Sequence, residues 1–360
     1  MYLMLFNLWA RLSYFLKDFF LYEVLLTLSF FLFIFLTYKV YKSSSSSFCK
    51  KVYFFLISLF FVLILVYSGF EAYYRYRYDQ SDGLGFLKVN ERWHRRHVVY
   101  NSDFFRDRDF AQKKPGTVRV GVLGDSIAFG GGINDVENRF SNLLEKKLKN
   151  SGYDVEVYNL GKPGYDTDGE IEFYQKVKYL GFDIVVWEYF LNDIQPKGKS
   201  TGTPIIIKES KQGKIVKFFS DRSFFFDYLY WRLSQRYNKT LGELRTADLA
   251  RYSDTAQLAS HYEQISSFLQ SLKGENTRTV VVIFPLLFFL GPDYPAANIH
   301  QMMTEHFLDS GAVDVVDMLD YLKDKNGRDL WASEFDSHPN EYVHKITAEK
   351  LFEKIVPLLK

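Results

Sequence analysis

The chain has 360 residues, of which 47% are hydrophobic and 18% aromatic, so it can bury at least one full core, and its aromatic content indicates membrane contact. The net charge of +2 gives no reason to expect a nucleic acid partner, which normally requires a clustered basic face. The one cysteine, Cys49, excludes an internal disulfide and a cysteine-rich metal site, and we expect neither a metal nor a cofactor.

The first 70 residues are dominated by two apolar runs. Residues 1–20 mix aromatic and charged side chains, which is typical of an amphipathic segment at a membrane surface. The runs 21–38 and 53–70 each have 18 residues, about 27 Å as a helix and close to the hydrocarbon thickness of a bilayer. Two adjacent runs of this length predict a transmembrane helical hairpin over 21–70 rather than a pair of buried core helices.

The loop between the runs, residues 39–51, contains four lysines, a tract of serines and no acidic residue. By the positive-inside rule this loop is cytoplasmic, which places everything after residue 70 outside the cytoplasm in a two-pass topology. The arginines of residues 71–117 oppose this orientation, but they are mixed with acidic residues, and the rule is weak beside a large domain. Residues 71–117 show no clear period and are predicted to be a connector.

A regular alternation of strand and helix patterns begins at residue 118. Strand patterns occur at 118–123, 154–159, 183–189, 279–284 and 313–316. Helical patterns separate most of them and occur at 137–150, 168–180, 256–273, 300–310 and 345–359. This alternation predicts a parallel sheet covered on both faces, a three-layer α/β domain over 118–360. An aromatic-rich insertion at 200–255 is expected either to form a lid or pocket wall or simply to pack on the domain.

Four short blocks carry the side chains that point to chemistry. The blocks lie at 124–130, 159–167, 190–193 and 336–340. Each of the first three directly follows a predicted strand, and the carboxyl ends of parallel strands meet at one edge of a sheet. We therefore expect the blocks to converge on one crevice, with Ser126 as the candidate nucleophile.

The blocks resemble those of the SGNH, or GDSL-type, hydrolase family over about residues 118–360. The first block reads Gly-Asp-Ser, and the four residues that name the family match Ser126, Gly164, Asn192 and His338 in this sequence. The resemblance implies a flavodoxin-like α/β/α sandwich with a five-stranded parallel sheet, here in a membrane-anchored bacterial member.

The residue types suit hydrolysis of an ester by a serine nucleophile. Attack by Ser126 puts negative charge on the carbonyl oxygen, and the backbone amides of Ser126 and Gly164 with the side-chain amide of Asn192 would form the oxyanion hole. His338 would take the Ser126 proton and give it to the leaving alcohol, while Asp336 would hold the imidazole in the required tautomer.

Two positions depart from the pattern of the family. Phe190 occupies a place that is commonly glycine in the third block, and we expect it to narrow or reshape the acyl side of the pocket. The acid commonly lies three residues before the histidine, which is Phe335 here, whereas Asp336 lies two before it. Glu334 therefore remains an alternative for the acid.

These features predict a membrane-anchored serine esterase or acyl transferase that acts on O-acyl groups of a carbohydrate or lipid of the cell envelope. Hydrolysis and acyl transfer share one acyl-enzyme and stay undecided, as do the acyl group, the acceptor and the oligomeric state. The competing hypothesis is a non-catalytic, membrane-tethered subunit for glycan binding or assembly. With either function, residues 1–70 offer a docking segment for another membrane protein.

Overall fold

The computed structural model of the protein describes residues 24, 27–43, 46–195 and 213–359. These residues belong to two compact units, one within Met1–Tyr78 and Ser223–Phe225, the other within Asp79–Arg222 and Phe226–Lys360. The predicted amphipathic segment at 1–20 lies outside the described residues.

Two apolar helices make up most of the smaller unit. Residues 27–43 form α1, and Ser47–Ala72 form α2, which continues as a π-helical turn over Tyr73–Arg77. The ring of Phe33 on α1 stacks on that of Phe61 on α2, with the two ring centroids 4.3 Å apart. Most of the remaining large apolar side chains on these helices are exposed.

The helical stretch Ser47–Arg77 is, within the described part of the chain, the one helix long and apolar enough to cross a membrane. Its length and apolar composition meet that requirement, and none of its most apolar stretch of 18 residues is buried inside the protein. The other predicted span, 21–38, lies partly outside the described residues. Over the residues that are described, the structure therefore gives one helix of spanning length, whereas the sequence predicts a hairpin of two.

Glu71 is the buried acid near the end of α2. Its carboxylate accepts hydrogen bonds from the backbone amides of Phe224 and Phe225, both at 3.0 Å, and from Ser223 Oγ at 2.7 Å. Phe224 is the first residue of α8, which spans Phe224–Ser234. Because the first amides of a helix have no partner within it, this carboxylate caps α8 and attaches its first residues to the end of α2.

A parallel sheet of five strands lies at the centre of the larger unit. The strands are β1 Val118–Leu123, β2 Val155–Asn159, β3 Ile184–Phe190, β4 Arg278–Phe284 and β5 Asp314–Asp317. They lie in the order β2-β1-β3-β4-β5. Every residue of the central strand β3 is buried, as expected for a strand covered on both faces. The predicted α/β fold with a five-stranded parallel sheet is confirmed.

Helices follow or precede the strands on both faces of this sheet. Besides α8, whose range is given above, the helices of the larger unit are α3 Lys88–His97, α4 Ser126–Phe129, α5 Phe140–Asn150, α6 Thr167–Val177, α7 Lys214–Ser220, α9 Arg236–Arg251, α10 Thr255–Gly274, α11 Ala297–Ser310, α12 Leu319–Leu322 and α13 Glu341–Ile355. Short 3₁₀ segments lie at Val136–Asn138, Lys178–Leu180, Gly327–Leu330 and Val356–Leu359. Helices α5 and α13 pack together, and α10 packs against α6 and α11.

The side-chain alternation of the strands assigns these two groups of helices to opposite faces. Phe284 of β4 contacts Phe140 of α5, with the ring centroids 6.1 Å apart. Trp187 of β3 contacts Phe268 of α10, with the centroids 5.0 Å apart. Phe284 is paired in register with Phe190, and successive residues of a strand point to opposite faces, so Trp187 and Phe284 lie on different sides of the sheet.

The segment from residue 79 to 117, which the sequence assigns to a connector, belongs to the same compact unit as the sheet. Trp93 and Phe105 are buried in it. The guanidinium of Arg106 donates hydrogen bonds to the carbonyls of Gly130 at 2.7 Å and Ile133 at 2.6 Å. The segment is therefore packed beside the loop that follows α4, through loop contacts that leave no periodic pattern in the sequence.

The last block of the sequence forms a β-hairpin. Its strands are β6, Trp331–Ser333, and β7, Asp336–Pro339, paired antiparallel. Adjacent strand residues point to opposite sides, so Asp336 and His338, two apart on β7, point to the same side. This register lets the acid and the imidazole meet despite the shorter spacing.

Candidate active site

Ser126 is the first residue of α4, directly after the turn that ends β1. Asp125 caps this helix, with its carboxylate accepting a hydrogen bond from the amide of Ile127 at 2.8 Å. A side chain at Gly124 would overlap that of Glu188, so the turn requires a glycine there. In the order β2-β1-β3, the second strand lies on one side of β1 and the third strand on the other, so the strand order reverses at β1. The loops at such a point form the ligand crevice of open α/β sheets.

Ser126, His338 and Asp336 form one chain of hydrogen bonds. Ser126 Oγ lies 2.8 Å from His338 Nε2, and His338 Nδ1 lies 2.5 Å from Asp336 Oδ1. The backbone amide of His338 also donates to Asp336 Oδ1, at 3.1 Å. This is the geometry in which an imidazole takes a proton from a hydroxyl while a carboxylate fixes its tautomer.

Burial and charge shift the pKa values of Asp336 and His338 in opposite directions. Burial raises the pKa of Asp336, but the charge and hydrogen bonds of His338 and a hydrogen bond from Ser81 hold it below its usual value. Burial lowers the pKa of His338, but the charge and hydrogen bond of Asp336 raise it above its usual value. The buried acid therefore stays ionised and strengthens the imidazole as a base.

Gly164 and Asn192 line the same cavity as Ser126 and His338, and the volume of this cavity is about 390 Å³. Gly164 has a φ of +80°, a backbone conformation that favours glycine. Asn192 Oδ1 is buried and has no hydrogen-bond partner among the described residues. The structure thus brings all the predicted site residues to one cavity, at the ends of β1, β2 and β3 and on β7.

The two candidate acids are separated by their partners. Glu334 Oε2 accepts hydrogen bonds from Arg232 at 2.6 Å and from the hydroxyl of Tyr228 at 2.9 Å. Both partners lie on α8. Asp336 is the one of the two that bonds His338. The structure thus places the residue two before the histidine, rather than Glu334, beside the imidazole.

A buried glutamate supports the nucleophile turn and was missed by sequence reasoning. Glu188 Oε2 accepts hydrogen bonds from the backbone amides of Asp125 at 3.0 Å and Ala128 at 3.3 Å. Burial, followed by the negative charges of Asp125 and Glu170, raises the pKa of Glu188 well above its usual value. A carboxylic acid inside an otherwise apolar strand is the sequence signal that could have identified it.

The segment before the sheet also supplies residues to the cavity, and no sequence motif marks them. Ser81 donates a hydrogen bond to Asp336 Oδ2. Asp82 accepts hydrogen bonds from the backbone amides of Leu84 at 2.9 Å and Leu87 at 2.6 Å, which shapes the loop. Burial raises the pKa of Asp82 to about 7 despite these bonds. Residues 81–85 thus form one rim of the site.

The insertion contributes to the cavity through α9. Leu244, Arg245, Asp248 and Arg251 of this helix all line it. On α8 an aromatic residue packs on the domain instead of lining the cavity: the ring of Trp231 stacks on that of Phe86, with the centroids 4.8 Å apart. One part of the insertion therefore forms a pocket wall while another part packs it on the domain.

Three solved structures are similar to this chain: TesA, the psychrotrophic esterase EstA from Pseudoalteromonas sp. and the lipase/acylhydrolase from Enterococcus faecalis. Their sequence identities are 16%, 16% and 13%, and their TM-scores 0.42, 0.37 and 0.41. The matches cover 67%, 67% and 68% of this chain and 99%, 98% and 97% of those chains. The comparison with curated proteins gives no match.

The family comparison covers most of the α/β unit. Residues 122–346 match the GDSL-like lipase/acylhydrolase family. That range contains the Gly-Asp-Ser turn as well as the hairpin of Asp336 and His338. Because the match extends over more than half of the 360 residues, the chain belongs to the GDSL-like lipase/acylhydrolase (SGNH) family and is a hydrolase of that type.

Proposed function

We propose that this protein is a membrane-anchored serine esterase that removes, or transfers, O-acyl groups of a cell-envelope carbohydrate or lipid. The observation that carries the catalytic part is the hydrogen-bonded chain from Ser126 Oγ through His338 to Asp336, at a cavity that Gly164 and Asn192 also line. Serine, imidazole and carboxylate in this arrangement activate a hydroxyl as a nucleophile.

In the proposed reaction, Ser126 Oγ attacks the ester carbonyl carbon as its proton moves to His338 Nε2. The carbonyl oxygen becomes negative and is stabilised by the amides of Ser126 and Gly164 and the side-chain amide of Asn192. When the bond to the alcohol breaks, His338 gives the proton to the leaving oxygen, and an acyl-Ser126 remains. Attack by water restores the enzyme and releases the acid, whereas attack by another hydroxyl transfers the acyl group.

The proposed location rests on the apolar helices. With α2, whose apolar face is exposed, as a membrane span, the domain that begins near residue 79 is held at the bilayer surface. We extend the proposal to the two-pass anchor over 21–70, with the basic loop 39–51 in the cytoplasm and the catalytic domain outside. An enzyme held there meets envelope polymers and lipids rather than freely diffusing esters, and the anchor offers a surface to a membrane-protein partner.

Hydrolysis of p-nitrophenyl acetate by the full chain in detergent tests the catalytic part. We expect Ser126→Ala and His338→Ala to lower kcat at least about 10³-fold, because neither variant forms the acyl-enzyme efficiently. Ser253→Ala removes an exposed hydroxyl elsewhere and is the matched control, with unchanged activity. Equal rates in wild type and both site variants would leave the non-catalytic binding or assembly subunit as the function.

Acyl transfer is tested by adding an acetylated oligosaccharide together with an acceptor sugar. Mass spectrometry then follows whether the acetyl group appears on the acceptor or as free acetate. Orientation is tested through Cys49, which is exposed and is the one cysteine of the sequence. A membrane-impermeant thiol reagent should not label it in intact cells, and labelling would invert the proposed topology.

A further inference from the structure

Three charged residues of α9 form a polar wall of the active-site cavity. Arg245, Asp248 and Arg251 all line it. The guanidinium of Arg245 lies 3.1 Å from Asp248 Oδ2, and that of Arg251 lies 2.5 Å from Asp248 Oδ1. Asp248 is 4% exposed, so its carboxylate is buried between two arginines that reach the cavity.

Phe190 supports this wall. The guanidinium carbon of Arg245 lies 4.9 Å from the centroid of the Phe190 ring, within the range of a cation–π contact. Phe190 is itself almost fully buried, at 6% exposure. The residue in place of the commonly found glycine therefore lies against Arg245 of the cavity wall. The expectation that it narrows or reshapes the acyl side of the pocket stays a prediction.

The charges of the wall leave an excess of one positive charge. Both oxygens of Asp248 are already bonded, one by each arginine. A guanidinium has five N–H donors in a planar fork, so one bond to Asp248 leaves donors on both residues for a ligand. Holding the two guanidinium groups on one buried carboxylate also fixes their positions before a ligand arrives.

The other acids at this cavity are already engaged. Asp336 bonds His338, Asp125 caps α4, and Asp82 holds the backbone of its own loop. Arg245 and Arg251 are the two arginines among the residues that line this cavity, and they lie on one side of it, on α9. The charge of Arg245 also acts on the reacting groups. Burial and Asp336 have the largest effects on the pKa of His338, and Arg245 opposes Asp336 by lowering it.

We propose that Arg245 and Arg251 form a subsite for an acidic group, a carboxylate or a phosphate, carried by the substrate close to its ester. Arginine is suited to both groups because its parallel N–H donors match two oxygens at once. The inference rests on the proposed function and narrows it, from acylated carbohydrates or lipids in general to those with an anionic group beside the ester.

A matched series of three esters tests this inference with the full chain in detergent. The esters are 3-O-acetylglucose, 3-O-acetylglucuronate and 3-O-acetylglucose 6-phosphate, which share a sugar ring and differ at C6. Release of acetate gives kcat/KM for each. A charge-assisted contact changes affinity about 10- to 100-fold, so we expect kcat/KM to be higher by that factor for at least one acidic ester than for the neutral ester. Which of the two acidic esters is preferred distinguishes a carboxylate from a phosphate subsite.

Arg245→Gln and Arg251→Gln should each reduce this preference, mainly through KM, and addition of salt should weaken it. Arg245→Lys, which keeps the charge, should retain part of it and guards against misfolding of the glutamine variant. Arg236→Gln, on the same helix but outside the cavity lining, is the matched control and should keep the wild-type preference. If no sugar ester is cleaved, glucuronate or glucose 6-phosphate should still inhibit hydrolysis of p-nitrophenyl acetate better than glucose.

Equal or better use of the neutral ester by the wild type, or no selective inhibition by the acids, overturns the subsite. An equal loss on all three esters in the arginine variants also overturns it, because such a loss indicates a structural role. Failure of the proposed function is a different result: p-nitrophenyl acetate would then be hydrolysed equally by wild type and Ser126→Ala.

Discussion

Ser81 donates a hydrogen bond to the carboxylate of Asp336, although 255 residues separate them in the sequence. The bond uses Oδ2, while Oδ1 bonds His338. Both oxygens are therefore engaged, and rotation of the carboxylate is restricted. Ser81 itself belongs to the rim of residues 81–85 that precedes the sheet. This contact makes Ser81 a candidate positioning residue that acts on the imidazole through the acid.

Replacement of Ser81 tests that role. We expect Ser81→Ala to lower kcat about 10- to 100-fold with little change in KM, because loss of one hydrogen bond to a charged group costs about 1.5–3 kcal/mol. The bond acts through Asp336 on the proton transfer to His338 rather than on substrate binding. Ser81→Thr keeps the hydroxyl and should recover part of the rate. The control is Ser333→Ala, which removes a side-chain hydrogen bond to the Ser81 carbonyl but leaves the bond from the Ser81 hydroxyl to Asp336 in place. A wild-type kcat in Ser81→Ala would contradict the positioning role.

The identity of the acid gives a second prediction. Asp336→Asn should reduce kcat about 10⁴-fold, because an amide at this place favours the wrong imidazole tautomer. Glu334→Gln should keep nearly all activity, since Glu334 bonds Arg232 and Tyr228 instead of His338. Steady-state kinetics on p-nitrophenyl acetate measures both. The reverse order of effects would assign the acid to Glu334.

The pH dependence follows from the environment of His338. Burial lowers its pKa, but Asp336 by charge and hydrogen bond, and Asp125 by charge, raise it above the usual value of about 6.5, while Arg245 lowers it. The imidazole must be neutral to accept the proton of Ser126, so kcat/KM should fall as the pH drops through this raised pKa. A profile from pH 5 to 9 measures the inflection. An inflection below the usual histidine value would contradict the contacts described.

The oxyanion hole is tested at Asn192. We expect Asn192→Ala to lower kcat about 10²- to 10³-fold while KM changes little, because the donor acts on charge that appears only in the transition state. Thermal unfolding of the same variant shows whether the protein remains folded. An unchanged kcat in a folded variant would remove Asn192 from the proposed hole.

Glu188 gives a prediction about stability. Its pKa in the folded protein lies well above the unfolded value, so the folded state holds a proton that the unfolded state releases, and stability falls as the pH rises above about 4.5. Glu188→Gln cannot ionise and keeps an oxygen for the amides of Asp125 and Ala128. Its unfolding temperature relative to the wild type should therefore increase from pH 5 to pH 8. A constant difference would show that Glu188 does not titrate in this way.

The α/β fold could be predicted from the sequence because its signal is local. The strand at 279–284 is a run of mostly β-branched residues, and that at 118–123 has three valines with a leucine. A strand buried on both faces leaves such an apolar pattern wherever it lies. The first three blocks could be placed together for a related reason, since parallel strands must end at one edge of the sheet.

Contacts between distant segments could be decided only by the tertiary structure. The sequence left Asp336 and Glu334 open, because the choice depends on where β7 begins and which carboxylate then points to the same side as the His338 imidazole. It assigned Ser81 to a connector and gave no partner for Phe190, because neither the bond from Ser81 to Asp336 nor the contact of Phe190 with Arg245 leaves a periodic pattern. A hydrogen bond between residues far apart in the chain depends on how loops are folded over the sheet. Hydrophobic periodicity indicates the burial of one element at a time, so it cannot predict such a bond.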